Sequence, residues 1–224
     1  MEERDASGSP RRKLLLTGLG VLVLAVAVTV VLSRDGGAPE GTLVGEREEG
    51  GDEIAVSETP SFRFTVKRPV LLPTRARSVQ RPDKVVGNRA ATTAAAALTD
   101  LYTEAFLDPA NWKSGSYADA FGVFSTGASR TARERTAVLT AGPGAGARFE
   151  QILPVSGSID TKILLDRSGK PALVLSAVRF RAEALGPEPM MLRSEGRFFF
   201  ERVQGRWKIV SFLVHRDDRP KEAS

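Results

Sequence analysis

Residues 159–180 read IDTKILLDRSGKPALVLSAVRF, and the alternation inside this stretch decides the fold. Ile159, Thr161, Ile163 and Leu165 fall at every second position, the period of a half-buried strand. Asp166-Arg167-Ser168-Gly169 interrupts them with turn residues, because Asp and Ser side chains satisfy nearby backbone groups and Gly tolerates positive φ. Ala172, Val174, Ser176, Val178 and Phe180 then resume the period of two. A loop at Gly186-Pro187-Glu188-Pro189 leads into a third strand, Met190 to Val203. Gln204-Gly205 predicts a two-residue hairpin, and a fourth strand runs from Trp207 to about Arg216.

Working upstream, the period lengthens to 3.6. Ala94, Leu98, Leu101, Tyr102, Ala105 and Phe106 define one face of a helix predicted over Asn88–Leu107, with Asn88 as its N-cap. Asp108-Pro109 ends it, since the residue before proline avoids helical geometry. A second short helix is expected over Tyr117–Phe124 and a third over Ser129–Thr140, stopped by Gly142-Pro143-Gly144. Before them, Phe62, Phe64 and Val66 alternate with Arg63, Thr65 and Lys67 as a short strand. Arg68-Pro69 and Leu72-Pro73 stop that strand, and residues 74–87 read as a connector. Helices followed by a strand meander predict an α+β domain, with helices packed on one face of a curved antiparallel sheet of four to five strands.

The opposite face of that sheet is not fully polar. On the last strand Trp207, Ile209 and Leu213 alternate with Val210, Phe212 and Val214. Leu173, Leu175 and Phe199 also lie opposite the main apolar rows of their strands. Antiparallel sheets commonly leave one face to water, so Val210, Phe212, Val214 and Phe199 form a candidate interface. Either the 62–72 segment folds back over it or a second copy pairs with it.

Further upstream, residues 14–32 (LLLTGLGVLVLAVAVTVVL) are an apolar run behind Arg11-Arg12-Lys13. As a helix the run spans roughly 28 Å, near the ~30 Å core of a bilayer. The three cations hold the short N-terminal segment, residues 1–13, in the cytoplasm and send the remainder across. The alternative is a cleaved signal peptide. A typical apolar signal region covers only about 7–15 residues, although a cut after Ser33 leaves Val31 at the third position back. The twin arginines also loosely resemble a twin-arginine export signal. Residues 33–60 are rich in Gly and Glu and read as an acidic tether. Residues 61–87 carry the short strand and connector, 88–216 the domain, and 217–224 a polar tail.

The chain carries 32 Lys plus Arg against 27 Asp plus Glu, for a net charge of +5. From Ser61 onward the counts are 26 and 16, so the folded region is +10 and the tether hides part of it. Such a domain near a bilayer suits anionic headgroups or wall polymers, although scattered arginines also follow from arginine-rich composition. There is no cysteine, which excludes disulfides, thiolate metal sites and lipoprotein attachment through an N-terminal Cys.

Three helices before four long strands, closing on GRWKIVSF at 205–212, resemble the nuclear transport factor two-like (cystatin-like) fold over roughly residues 88–216. LYTEAFLDPANW at 101–112, ERTAVLTAG at 134–142 and ILLDRSGKP at 163–171 are similar to strings in uncharacterised membrane-anchored actinobacterial proteins of that kind. The order of anchor, tether and domain is similar in topology to the bitopic core component of type IV secretion and conjugation machines. The resemblance implies an extracytoplasmic, non-catalytic binding or assembly module. The alternatives are a subunit of a conjugation, secretion or envelope-transport assembly, and a small-molecule binder or enzyme using the cone between sheet and helices.

Catalytic members of such a fold need a base in an apolar pocket and donors aimed at a developing oxyanion. The candidates here are few. Tyr102 lies on the apolar helix face, where its ring packs in the core with its hydroxyl at the rim, while Trp112 and Tyr117 flank the second helix; these three are either ordinary core or the candidate pocket. The single histidine, His215, falls at the end of the last strand beside Arg216-Asp217-Asp218. Asp100, Glu104 and Asp108 share one helical face, but no neighbouring loop supplies further oxygen ligands for a hard cation. Arg130, Arg133 and Arg135 make the third helix basic. Gly142-Pro143-Gly144-Ala145-Gly146 follows a helix and lacks the Lys-Ser/Thr ending of a phosphate loop. No catalytic residue, cofactor or metal ligand is assigned. The expected partners are the membrane, a second copy of the chain or envelope proteins, and not nucleic acid.

Overall fold

A computed structural model describes residues 58–74 and 78–221; the predicted membrane span, residues 14–32, and all but the last three residues of the predicted tether, 33–60, lie outside them. Among the described residues no helix is long and apolar enough to cross a membrane. The chain orders as β1 (Thr65–Val66), β2 (Val70–Pro73), α1 (Arg81–Tyr102), α2 (Pro109–Ser114), α3 (Thr126–Glu134), α4 (Thr136–Leu139) and α5 (Ala145–Arg148). The strands β3 (Gln151–Leu165), β4 (Pro171–Leu185), β5 (Met190–Val203), β6 (Arg206–Arg216) and β7 (Arg219–Pro220) follow. The architecture is α+β.

The sheet is mixed, which corrects the expectation of a purely antiparallel one. Strands β3 to β6 form an antiparallel meander, but β1 and β2 both add to the edge of β3 in parallel. The residues expected to be a strand stopped by two prolines are thus two short strands. Pro69 precedes β2, and Pro73 ends it on the sheet edge, where a missing donor is tolerated. At the far end of β5, Met190 and Met191 pair with Pro220 and Arg219, so the polar tail carries a short strand.

Helix α1 begins at Arg81, not at Asn88. Its first turn holds Pro82, and the Asp83 carboxylate accepts the Gln80 backbone N–H at 2.8 Å. That reciprocal arrangement satisfies a donor the helix cannot, and Asn88 is left inside the helix. Ala90, Ala91, Ala94, Ala95, Leu98, Leu101 and Tyr102 form its buried seam, and the four alanines let its first half lie close on the sheet. A π-helical turn, Thr103–Leu107, continues it. Asp108 then caps α2 by accepting the Ala110 N–H at 2.9 Å. Where one helix was expected over Tyr117–Phe124, only a single 3₁₀ turn forms, Ala120–Val123. The third predicted helix is broken at Arg135 into α3 and α4, with Ser125 as the N-cap.

Three register shifts shape the meander, one of them at the β3–β4 turn, where Leu164 faces Leu173 and Leu165 faces Pro171. On β3 the register slips between Pro154 and Ser156. On the β5–β6 pair Phe199 faces Ser211 while Phe200 faces Ile209, leaving Val210 as the extra residue. A bulge bends its strand and resets the alternation. Gly157 is required nearby, because a Cβ there would stand 2.6 Å from the Phe62 ring and 2.7 Å from the Phe64 ring. At the β5–β6 hairpin Gln204 and Gly205 both have positive φ, 51° and 79°, as the two-residue turn demands.

Candidate functional site

The space between helices and sheet is filled. Phe180, Phe198 and Phe200 rise from β4 and β5 and are fully buried, as are Leu98, Leu101 and Phe106 opposite them. The Tyr102 ring stacks on Phe106 at 5.3 Å and touches Phe180 at 5.0 Å. Phe64 meets Tyr102 edge-on at 5.3 Å, and Phe62 meets Phe180 in the same way. Trp207 packs against this cluster while half exposed.

The three candidate pocket residues are all core, with Tyr102 2 %, Trp112 1 % and Tyr117 4 % exposed. The Tyr102 hydroxyl lies 2.9 Å from the Ser194 hydroxyl, and burial pushes its pKa well above the usual phenol range. The Tyr117 hydroxyl donates to the Gly142 carbonyl at 3.3 Å; burial raises its pKa too, while Thr140 and Arg216 oppose the rise. Trp112 Nε1 has no hydrogen-bond partner. The other buried polar residues on the sheet's inner face are hydroxyls, with Thr161 and Ser176 paired at 3.4 Å. None of these groups ionises near neutral pH.

The other candidates stay apart. Glu104 is pushed up, first by burial and then by repulsion from Asp100, Asp119 and Asp108; no cluster among the described residues could hold a metal ion. Arg130 and Arg133 line an open depression beside the 3₁₀ turn, and Arg135 lies over the Phe212 ring at 5.9 Å. His215 is exposed on β6, opposite Glu195 on β5.

The outer face of the sheet differs from the sequence expectation in a specific way. Phe212 and Val214 point inward: Phe212 stacks on Phe198 at 6.4 Å and meets Phe124 at 5.5 Å, and Val214 is 4 % exposed. The Val210 bulge causes this, because the extra residue puts Ile209 and Phe212 on the same side. What remains outside is a band crossing the strands. Leu72 pairs with Leu164, Leu164 with Leu173, and Leu175 with Phe199, and Leu213 adds to it on β6. Leu213 is 63 % and Leu72 42 % exposed. Residues 62–72 do not cover this face: Phe62 and Phe64 turn into the core, and β2 lengthens the sheet at its edge. Beside the band lies a shallow hollow of about 520 Å³ lined by Asp160, Arg179, Glu195, Arg197 and His215.

Sequence reasoning missed a second feature. Arg216 reaches from the end of β6 to the Thr140 carbonyl, to that of Ala137 at 3.1 Å and to that of Ala141 at 2.9 Å. It also pairs with Asp218 at 2.6 Å and lies over Phe106. Only the run of charged residues after β6 hinted at it. No known protein family, no curated protein and no solved structure matches this chain.

Proposed function

We propose that this chain is a single-pass membrane protein that presents a non-catalytic binding or assembly domain, built on nuclear transport factor two-like lines, outside the cytoplasmic membrane. The observation that carries the reading is the apolar band on the outer sheet face, with Leu164 and Leu213 exposed and Leu173, Leu175 and Phe199 half-buried between them, on a sheet whose other face is closed by helices. An exposed apolar strip across several strands costs solubility and fits a protein partner. Tyr102, Trp112 and Tyr117 are packed into the core, so this reading places no substrate among them. Tethering near a bilayer raises the domain's effective concentration toward envelope partners.

The chain has no cysteine, so Leu213→Cys introduces a unique crosslinking position. In intact cells a self-adduct from that position supports a dimer through the sheet face. A membrane-protein adduct supports a subunit of a larger envelope assembly. A reporter fused to the C-terminus and found in the cytosol would overturn the exported reading.

A further inference from the structure

The β5–β6 hairpin, the β3–β4 turn and the first half of α1 enclose a cleft of about 600 Å³, within the size range of small-ligand sites. Arg89 of α1, Lys170 of the turn and Arg202 of β5 line it, and Trp207 forms part of its wall together with Val86 and Pro171. The Arg202 guanidinium sits 5.3 Å from the centre of the Trp207 ring. None of these three cations has a salt-bridge partner among the described residues, whereas Lys67, Arg216, Arg219 and Lys221 each have one. Asp166 is the single acid of the lining. One of its oxygens already accepts the Ser168 N–H, the Ser168 hydroxyl and the Lys170 N–H at 2.8 to 2.9 Å, so it is committed to holding the turn.

Three cations on three separate elements against one acid that is tied to the turn leave the lining net positive, beside an apolar wall, and favour an anion there. Two guanidinium groups match the oxygens of a phosphate in bidentate fashion, and the lysine adds a point charge. Trp207, Val86 and Pro171 offer apolar surface next to that charge. We propose that this cleft is an anion site for a phosphate monoester carrying an apolar group, either a soluble ester or the headgroup of a phosphatidic acid. The phosphate lies among Arg89, Lys170 and Arg202, and the apolar group packs on Trp207.

The test uses the full chain in neutral detergent micelles, titrated with phenyl phosphate and with inorganic phosphate while tryptophan emission is followed. Trp112 is buried and supplies a constant background, so the response reports Trp207. Saturable binding is expected, with phenyl phosphate several-fold tighter than inorganic phosphate. The double variant Arg89→Gln/Arg202→Gln is expected to weaken it at least about tenfold, the equivalent of one step of about 1.4 kcal/mol. Both side chains are exposed, so an unchanged melting temperature shows that the variant is folded. Competition by phosphatidic acid in mixed micelles, but not by phosphatidylcholine, assigns the phosphate to a lipid; failure to compete assigns it to a soluble ester. A linear response to both phosphates, or equal binding by the double variant, overturns the proposal.

Discussion

The hydroxyls of Tyr102 on α1 and Ser194 on β5 meet at 2.9 Å, both fully buried, and they join the helix to the centre of the sheet. Among the described residues each hydroxyl is the other's only hydrogen-bond partner, so removing one strands the other. Ser194→Ala should destabilise the domain by about 1–3 kcal/mol, and the Tyr102→Phe/Ser194→Ala pair by less than the two single changes summed. Urea unfolding of the four proteins in a double-mutant cycle measures this coupling.

The same tyrosine predicts an alkaline limit. Its pKa in the folded protein is raised by burial, so the folded state keeps a proton that the unfolded chain releases near pH 10. Its contribution is complete below that pH and is lost as the pH rises toward the folded value, by up to about 1.4 kcal/mol per pH unit for one proton. Tyr117 shifts in the same direction. Tyr102→Phe should flatten the fall in stability above about pH 10; identical alkaline melts for variant and wild type would refute the assignment.

Arg216 fastens the end of β6 to the loop after α4. Arg216→Ala leaves three backbone carbonyls and the Asp218 carboxylate short of a donor and should cost about 3–5 kcal/mol. Arg216→Lys keeps the charge but cannot reach both sides, because a lysine lacks the planar fork. Thermal melts should therefore place the lysine variant nearer to alanine than to wild type.

Phe198 and Phe199 are neighbours in sequence on opposite faces of β5. Phe198→Ala opens a cavity among Tyr102 and Phe212 and should cost about 3–5 kcal/mol. Phe199→Ala should cost about 1 kcal/mol or less, while reducing self-adduct formation from Leu213→Cys if that face pairs two copies. Denaturant midpoints and crosslinking yields separate the two effects.

Gln204 holds a φ of 51°, a conformation that asparagine tolerates better. Gln204→Asn creates the Asn-Gly pair preferred in this turn and should raise stability by roughly 0.5–1 kcal/mol. A melting temperature lower than wild type would contradict the turn geometry.

Periodicity alone made the four long strands and the main helix legible, because side-chain burial repeats every two residues in a strand and every 3.6 in a helix. Turn chemistry placed the hairpin at Gln204-Gly205. Helix starts were less legible: Asn88 looked like a cap, but Asp83 could reach back to Gln80 and drew the start to Arg81. Of the candidate site, Phe199 was placed on the outer face, and Tyr102, Trp112 and Tyr117 sat at positions where aromatic rings pack as core, although periodicity does not show how completely the space around them is filled.

The amino-acid sequence by itself determined the α+β class, the charge asymmetry and which strands are long, since these depend on local pattern and composition. Tertiary structure decided that β1 and β2 run parallel to β3, that Phe212 and Val214 turn inward past the Val210 bulge, and that Arg89, Lys170, Arg202 and Trp207 line one cleft. A register shift of one residue flips every side chain beyond it, and convergence of distant residues depends on how the elements pack. Neither is encoded in the periodicity of a single segment.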